Sequence, residues 1–334
     1  MVLGDVRTFG DSNTPPELST MPAQLLLALA GVLAAGDAFG PVAPVAIRDA
    51  GEGRFDVALG DRLFTTLHTK GFPKPILYPI VGPHGVRMTR DYPMKPDTPG
   101  EARDHPHQQS LWFTHGDVNG VDFWALGRGR IVTREVEKPV SEESRASIVL
   151  HDDWVGPDGK IVCTDTQRIT FHAPREVPGG EAIALDYEIT IHASQGDVVF
   201  GDTKEGTMAI RTHPKLEISK GAAAVNSEGV KGKDVWGKRA KWVDYSAEID
   251  GKTVGVAIFD HPSNIRHPTW WHARDYGLVA ANPFGIHDFE GKPKKEGDWK
   301  VAKKESVKFT YRFVFHSGDA ESARIASLYA EWAK

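Results

Sequence analysis

Leu185-Asp186-Tyr187-Glu188-Ile189-Thr190-Ile191-His192 alternates apolar and polar residues without a break. Successive side chains of a strand point to opposite faces, so this stretch buries one face and leaves the other wet. The alternation recurs near the C-terminus, where Phe309, Tyr311, Phe313 and Phe315 interleave with Lys308, Thr310, Arg312 and Val314. Working outward, Phe55 to Leu59 and Leu63 to His68 flank the turn Gly60-Asp61. Gly85 to Arg90 reads as a strand, and so do Ile131 to Glu137, Ser147 to Asp152 and Ile161 to His172. Residues 219–246 read as an irregular loop with a strand from Lys241 to Ser246. The turn Asp250-Gly251 then leads into Thr253 to Asp260, and Tyr276 to Ala280 is a further strand. Turn signals fall roughly every 8–12 residues, the spacing of a large sandwich.

The one clear helix is the tail. Ile325, Leu328, Tyr329 and Trp332 fall on one helical face, with Asp319 as the expected N-cap. There is no strand–helix–strand alternation, no Gly-x-Gly-x-x-Gly and no phosphate-binding loop motif. The reading is an all-β, large antiparallel β-sandwich over residues 46–317, with a docking helix over 318–334. Residues 1–45 read as a disordered leader. Within it Leu25 to Ala35 is apolar and Ala34-Ala35-Gly36 offers a small-residue cleavage site, so 21–36 is a candidate secretory signal. That implies export with Met21 as the start. No Lys or Arg lies between Met21 and the run, so a short buried helix in a cytoplasmic protein is the alternative.

The net charge of −5 excludes an electrostatic footprint for nucleic acid. No apolar run is long enough to span a membrane as a helix. The single Cys163 permits no internal disulfide and no cysteine-rich zinc site. The oligomeric state is not legible. The compositional oddity is 14 histidines and 9 tryptophans.

Many of these gather in residues 104–124, where three histidines, three aspartates, two glutamines and an asparagine sit among aromatic residues. Such convergence marks a polar cleft, although a buried turn with bonded histidines would look the same. His105 and His107 are two apart, so an extended segment would send both rings to one face. Their spacing suits two ligands of a divalent metal, or a general acid and base near neutral pH. Four His-Pro pairs, at 105, 213, 261 and 267, are expected to hold their histidines extended at strand ends. Ser110 to His115 reads as a short strand, and Asn119-Gly120 as a hairpin turn. Glu205 is the candidate carboxylate partner; a surface ion pair with Lys204 is its plainer reading. Arg87, Arg211, Arg239 and Arg274 lie near the aromatic clusters and could hold ligand oxygens with a rigid fork. Gln108, Trp236, Trp270, His272 and Asn282 complete the candidate binding set.

Four segments carry a resemblance: Asp104–Trp124, Gly201–Arg211, Gly255–Asn264 and Tyr276–Gly285. Over these the chain resembles the DUF6807 family, which also carries the label methane oxygenase PmoA. The resemblance implies a galactose-mutarotase-like β-supersandwich and a role directed at a small saccharide or glycoside. Mutarotase-type enzymes pair a histidine acid with a glutamate base, parts that would fall to His107, or His105, and Glu205. An epimerase, lyase or hydrolase is the first expectation, and a 3-keto-glycoside substrate would suit a divalent metal on His105 and His107. A non-catalytic sugar-binding module is the second, and a copper or iron oxygenase, as the label says, the third.

Overall fold

A computed structural model of the protein describes residues 44–334. All of the expected leader except Pro44 and Val45, and with it the candidate signal at 21–36, lies outside the described residues. No described helix is long and apolar enough to cross a membrane.

The stretch Leu185–His192 belongs to a strand Gly180–His192, and Lys308–Phe315 to a strand Ser306–Ser317. The two pair antiparallel, with Leu185 opposite Phe313 and Tyr187 opposite Tyr311. They form the middle of a ten-stranded antiparallel sheet. On one side follow Ile161–His172, Arg145–Val155 and Arg130–Val136; on the other, Lys252–Asp260, Trp242–Ile249 and Ala223–Asn226. Leu185, Tyr187, Ile189, Phe309, Tyr311 and Phe313 all point inward and are at most 1% exposed. Burying each such side chain is worth about 1.5–3 kcal/mol. A slip of one residue would replace them with Asp186, Glu188 and Arg312, which fixes the register.

The second sheet has eight strands. Val45–Gly51, Arg54–Leu59, Arg62–His68 and Ile76–Ile80 run in chain order, followed by Leu111–His115, Gly206–Arg211, Leu278–Asn282 and Trp270–Ala273. Its inner residues, among them Phe113, Met208, Ile210, Val279 and Trp271, join the first sheet in one core. The architecture is therefore the expected large antiparallel sandwich. The neighbouring residues Trp112, Ala209 and Ala280 alternate to the outer face of this sheet, where a separate apolar cluster forms.

The C-terminal helix covers the outer face of the ten-stranded sheet, where Ile325, Leu328 and Tyr329 pack on Val314 and Phe259. It spans Ile325–Trp332, starting later than expected. Asp319 is not its cap: Asp319 Oδ1 accepts the Ser322 N–H at 2.9 Å and closes a preceding turn. Arg324, with φ of 54°, separates that turn from the helix.

Other expectations change as well. Gly85 to Arg90 forms only isolated bridges, Val81 to Arg87 and Thr89 to Thr212, because a tight turn at Pro83–Gly85 ends the pairing. Ala223–Asn226 and Trp270–Ala273 are strands where a loop and an unassigned cluster were expected. Ile286–Glu290 is a short helix without a periodic signal of its own. Asn119-Gly120 behaves as its sequence demands. Both residues have positive φ, 52° and 80°, and Val118 pairs across to Val121.

One polar group interrupts the core. Asp152 and Asp165 are cross-strand neighbours on the inner face, each at most 1% exposed. Gln167 Nε2 donates to Asp152 Oδ2 at 2.8 Å and to Asp165 Oδ2 at 3.1 Å. Trp154 Nε1 also donates to Asp165 Oδ2, at 2.7 Å. Burial pushes Asp152 up to about 6 and Asp165 well above the usual carboxyl range.

Candidate functional site

The site begins with a row across the outer face of the eight-stranded sheet. Trp112 stands opposite Ala209, Ala209 opposite Ala280, and Ala280 opposite His272. Trp112, Ala209 and Ala280 are packed into the outer apolar cluster, and His272 at the end of the row borders a cavity of about 440 Å³ that His105, His107, Gln108, Glu205 and Arg274 also line among the expected residues. Asp122, Trp124, Ala125, Lys204 and Tyr276 complete its walls.

The histidine loop is held from behind by buried cations. Arg90, fully buried, donates to the backbone carbonyls of Tyr92, Ala102, Asp104 and His105 at 3.0–3.2 Å. It also pairs with the Asp104 carboxylate, which Arg211 reaches from the other side at 3.3 Å. Lys74, 3% exposed, donates to the His107 carbonyl at 2.9 Å and packs 5.3 Å from the Trp112 ring centre. Burial lowers its amine to about 7.

His105 is not extended. Its φ is 45°, and the Gln108 N–H donates to its carbonyl at 2.9 Å, closing a turn. That turn, rather than a strand, brings the His105 and His107 rings to 5.7 Å between centres. His105 stacks on Tyr276 at 5.0 Å. Its Nδ1 lies 2.9 Å from Asp104 Oδ2, off the line a hydrogen bond needs. Burial would raise Asp104, but the Arg211 charge, the His105 contact and Arg90 outweigh it and hold the carboxyl low.

Glu205 arrives from the segment before the strand Gly206–Arg211. Asp202, 1% exposed, anchors that segment by accepting backbone N–H bonds from His287, Glu296 and Gly297. Asn282 Nδ2 donates to the Thr203 carbonyl at 2.9 Å, and the Glu205 carbonyl accepts the Gly116 N–H at 2.6 Å. Gly206 is required by contact, since a Cβ there would sit 2.3 Å from His115 Nδ1. The Glu205 carboxylate lies 3.3 Å from Lys204 Nζ. Glu205 thus pairs with Lys204, as its plainer reading expects, and also lines the cavity.

Desolvation dominates the histidines. Burial, helped by the charges of Lys74 and His105, lowers His107 to about 4. Burial and the Arg274 charge lower His272 to about 3. His272 is 2% exposed, and neither ring nitrogen has a hydrogen-bond partner among the described residues; the Lys204 backbone lies close, but off hydrogen-bond geometry. The indole N–H of Trp124 is likewise unpartnered. These unpartnered polar atoms belong to residues that line the cavity, and buried polar groups without partners are uncommon in a folded interior.

The remaining expected residues lie apart from the cavity walls. Arg211 is buried behind them, bound to Gln108 and Asp104 and 4.7 Å over the Tyr276 ring. It positions the wall rather than facing a ligand. Arg87 pairs with Asp91 and Tyr78. Arg239 lies over Trp270 and donates to the carbonyls of Pro268 and Arg266. Trp270 donates to Glu290, Trp236 packs on Phe289, and Asn282 is spent on Thr203 and Phe284. The cluster from His261 to Arg274 also divides. His267 pairs with Asp260 at 2.7 Å, and His261 meets Trp332 of the C-terminal helix. Only its end, from His272, reaches the site.

A metal centre does not fit these residues. His105 and His107 are the expected ligands, but among the described residues no group of three or more His, Cys, Asp or Glu side chains could hold a metal ion. His272 lines the cavity without completing such a set.

Asp122, Trp124, Lys204 and Tyr276 line the cavity, and Lys74 braces it from behind, all outside the candidate set read from the sequence. Lys74 carried a signal: a lysine between Pro73 and Pro75, with Phe72 and Ile76 outside them, has no polar neighbour to keep it at the surface.

No curated protein matches this sequence. The chain is similar to a solved structure described as a galactose mutarotase related enzyme from Lactobacillus acidophilus. The identity is 8%, with 82% of this chain and 97% of that one covered and a TM-score of 0.32. A family model described as a family of unknown function, DUF6807, matches residues 54–330, a span that holds both sheets and every residue of the cavity, and the chain belongs to that family.

Proposed function

We propose that the cavity binds a saccharide and performs acid/base chemistry on it, as an epimerase, lyase or hydrolase. One observation carries this reading: His107 and Glu205, delivered by separate segments, line a single cavity whose walls hold unpartnered polar groups. Trp124 and Tyr276 add aromatic surface suited to the apolar faces of a sugar ring.

The roles differ from the histidine-acid expectation. With its imidazolium form suppressed to about pH 4, His107 is neutral at pH 7 and holds no spare proton to give. Its ring N–H can still donate a hydrogen bond to an oxygen on which charge develops. Glu205 is then the group that accepts the proton. His105, stacked on Tyr276, frames the opening beside it. No step is routed through a metal, because the residues present do not supply its ligands.

The test is proton NMR in D₂O of the protein with a panel of glycosides and 3-keto-glycosides. Epimerisation by proton removal washes deuterium into a carbon-bound position, elimination yields a new vinylic proton signal, and hydrolysis yields a new reducing end. Glu205→Gln is expected to lower turnover by about 10²–10⁴-fold. Full turnover in that variant sinks the assignment. Saturable binding with no product in any spectrum leaves a sugar-binding module.

A further inference from the structure

The cavity has more positive charge around it than its acids balance. Asp104 is shared by Arg90 and Arg211. Glu205 is taken by Lys204. Asp122 Oδ1 accepts the backbone N–H groups of Trp124 and Ala125. Glu217, near the far side of Arg211, pairs with Lys220. Six cations, Lys74, Arg90, Lys204, Arg211, Lys220 and Arg274, thus stand against the four carboxylates of Asp104, Asp122, Glu205 and Glu217, and Lys74 and Arg274 pair with none among the described residues. Lys74 is buried with only a carbonyl and an amide oxygen as partners. The Arg274 side chain lines the cavity, stacked 5.2 Å from the Tyr276 ring centre, and is bonded to no carboxylate among the described residues.

Beside Arg274 stands His272, a buried residue of the cavity lining whose two ring nitrogens have no partner among the described residues. A buried polar side chain left without a partner costs about 1–3 kcal/mol unless a ligand supplies one. A planar guanidinium is matched by a carboxylate, which takes two parallel N–H bonds.

Resting on the saccharide reading above, we infer that the substrate is an acidic sugar, a uronic acid or its glycoside, whose carboxylate is received by Arg274 beside His272. The uncompensated cations then serve the ligand. Lys74 and the Arg90–Arg211 pair add a positive field from behind the wall, and Arg274 makes the direct contact.

The experiment is titration calorimetry with methyl glycosides of glucuronic, galacturonic and mannuronic acid, each against its neutral parent sugar, on wild type and Arg274→Gln. At least one uronide is expected to bind ten-fold or more tighter than its neutral parent. Arg274→Gln should abolish that preference, bringing the uronide and its neutral parent within about two-fold of each other, and added salt should narrow the gap in wild type. Equal binding of a neutral and an acidic partner overturns the acidic-sugar inference and leaves the saccharide reading standing. A preference that survives in Arg274→Gln overturns the placement of the carboxylate. Tighter binding of glucose 6-phosphate than of any uronide overturns the carboxylate in favour of phosphate. Binding of no sugar, by protein whose circular dichroism shows it folded, sinks both readings together.

Discussion

Asp152→Asn should make the protein more stable at alkaline pH. Asp152 faces Asp165 in the sandwich core, and burial has moved it from the ordinary 3.8 to about 6. The folded state therefore holds this proton more tightly than the unfolded chain. Its contribution to stability is fully present below about pH 4 and is lost as pH rises toward 6. Above pH 6 the displacement of roughly two pH units, at about 1.4 kcal/mol each, amounts to a penalty of ~3 kcal/mol. Asparagine is the same shape. It keeps an oxygen for the Gln167 donor and offers an N–H toward Asp165, but the bond from Gln167 loses its charged acceptor, at a cost of about 1 kcal/mol. The net gain at pH 8 is ~2 kcal/mol. For a domain of about 290 residues that raises Tm by ~3 °C. At pH 5 the same arithmetic leaves a gain well under 1 kcal/mol. Urea midpoints and Tm at pH 5 and pH 8 decide the matter. If Asp152→Asn is no more stable than wild type at pH 8, or if its advantage does not grow between the two pH values, the carboxyl pair is not the liability described.

Acid should unfold the protein through its buried histidines. His107 and His115 are lowered to about 4 and His272 to about 3, so the unfolded chain takes up these protons first as pH falls below 6.5. The stability they contribute is present above 6.5 and is lost toward pH 4. His272→Asn should flatten the urea-midpoint slope over that window by about one proton, or ~1.4 kcal/mol per pH unit; an unchanged slope refutes it. Gly206→Ala should cost at least about 1–3 kcal/mol, because its Cβ would meet His115 Nδ1 at 2.3 Å; a Tm within one degree (about) of wild type would show the backbone yields there.

The fold was legible because its two central strands are amphipathic. Leu185–His192 and Lys308–Phe315 carry alternation strong enough to fix face and register, and they lie side by side. Strands buried on both faces were harder to read. Trp270–Ala273 is covered above and below, so it has no polar beat to mark it as a strand. At the site, residue types were legible but geometry was not. His105 and His107 do converge, through a turn at positive φ that the His-Pro rule argues against. Arg90 is an ordinary arginine in sequence. Only its burial reveals that it clamps the carbonyls of Tyr92 and Ala102 together with those of Asp104 and His105 in the histidine loop. Arg87, Arg239, Trp270 and Asn282 looked equivalent to Arg274 and His272. Each of them found a structural partner, whereas among the described residues Arg274 found no carboxylate and His272 no hydrogen bond.

That contrast separates scaffold from site. A buried cation is tolerable when it is paired and hydrogen-bonded, and Arg90 and Arg211 meet that condition through Asp104 and loop carbonyls. Lys74 meets it only in part, and its amine shifts to about 7 in response. The three together hold a histidine loop rigid without lining the cavity themselves, so the positive field comes with the support of the loop. A neutral His107 follows from the same arrangement, because desolvation and the Lys74 charge both oppose its protonation. Two of the cations that fix where the imidazole stands, Lys74 and Arg90, therefore add to the burial that keeps it neutral, and the same charges favour an anionic group opposite it.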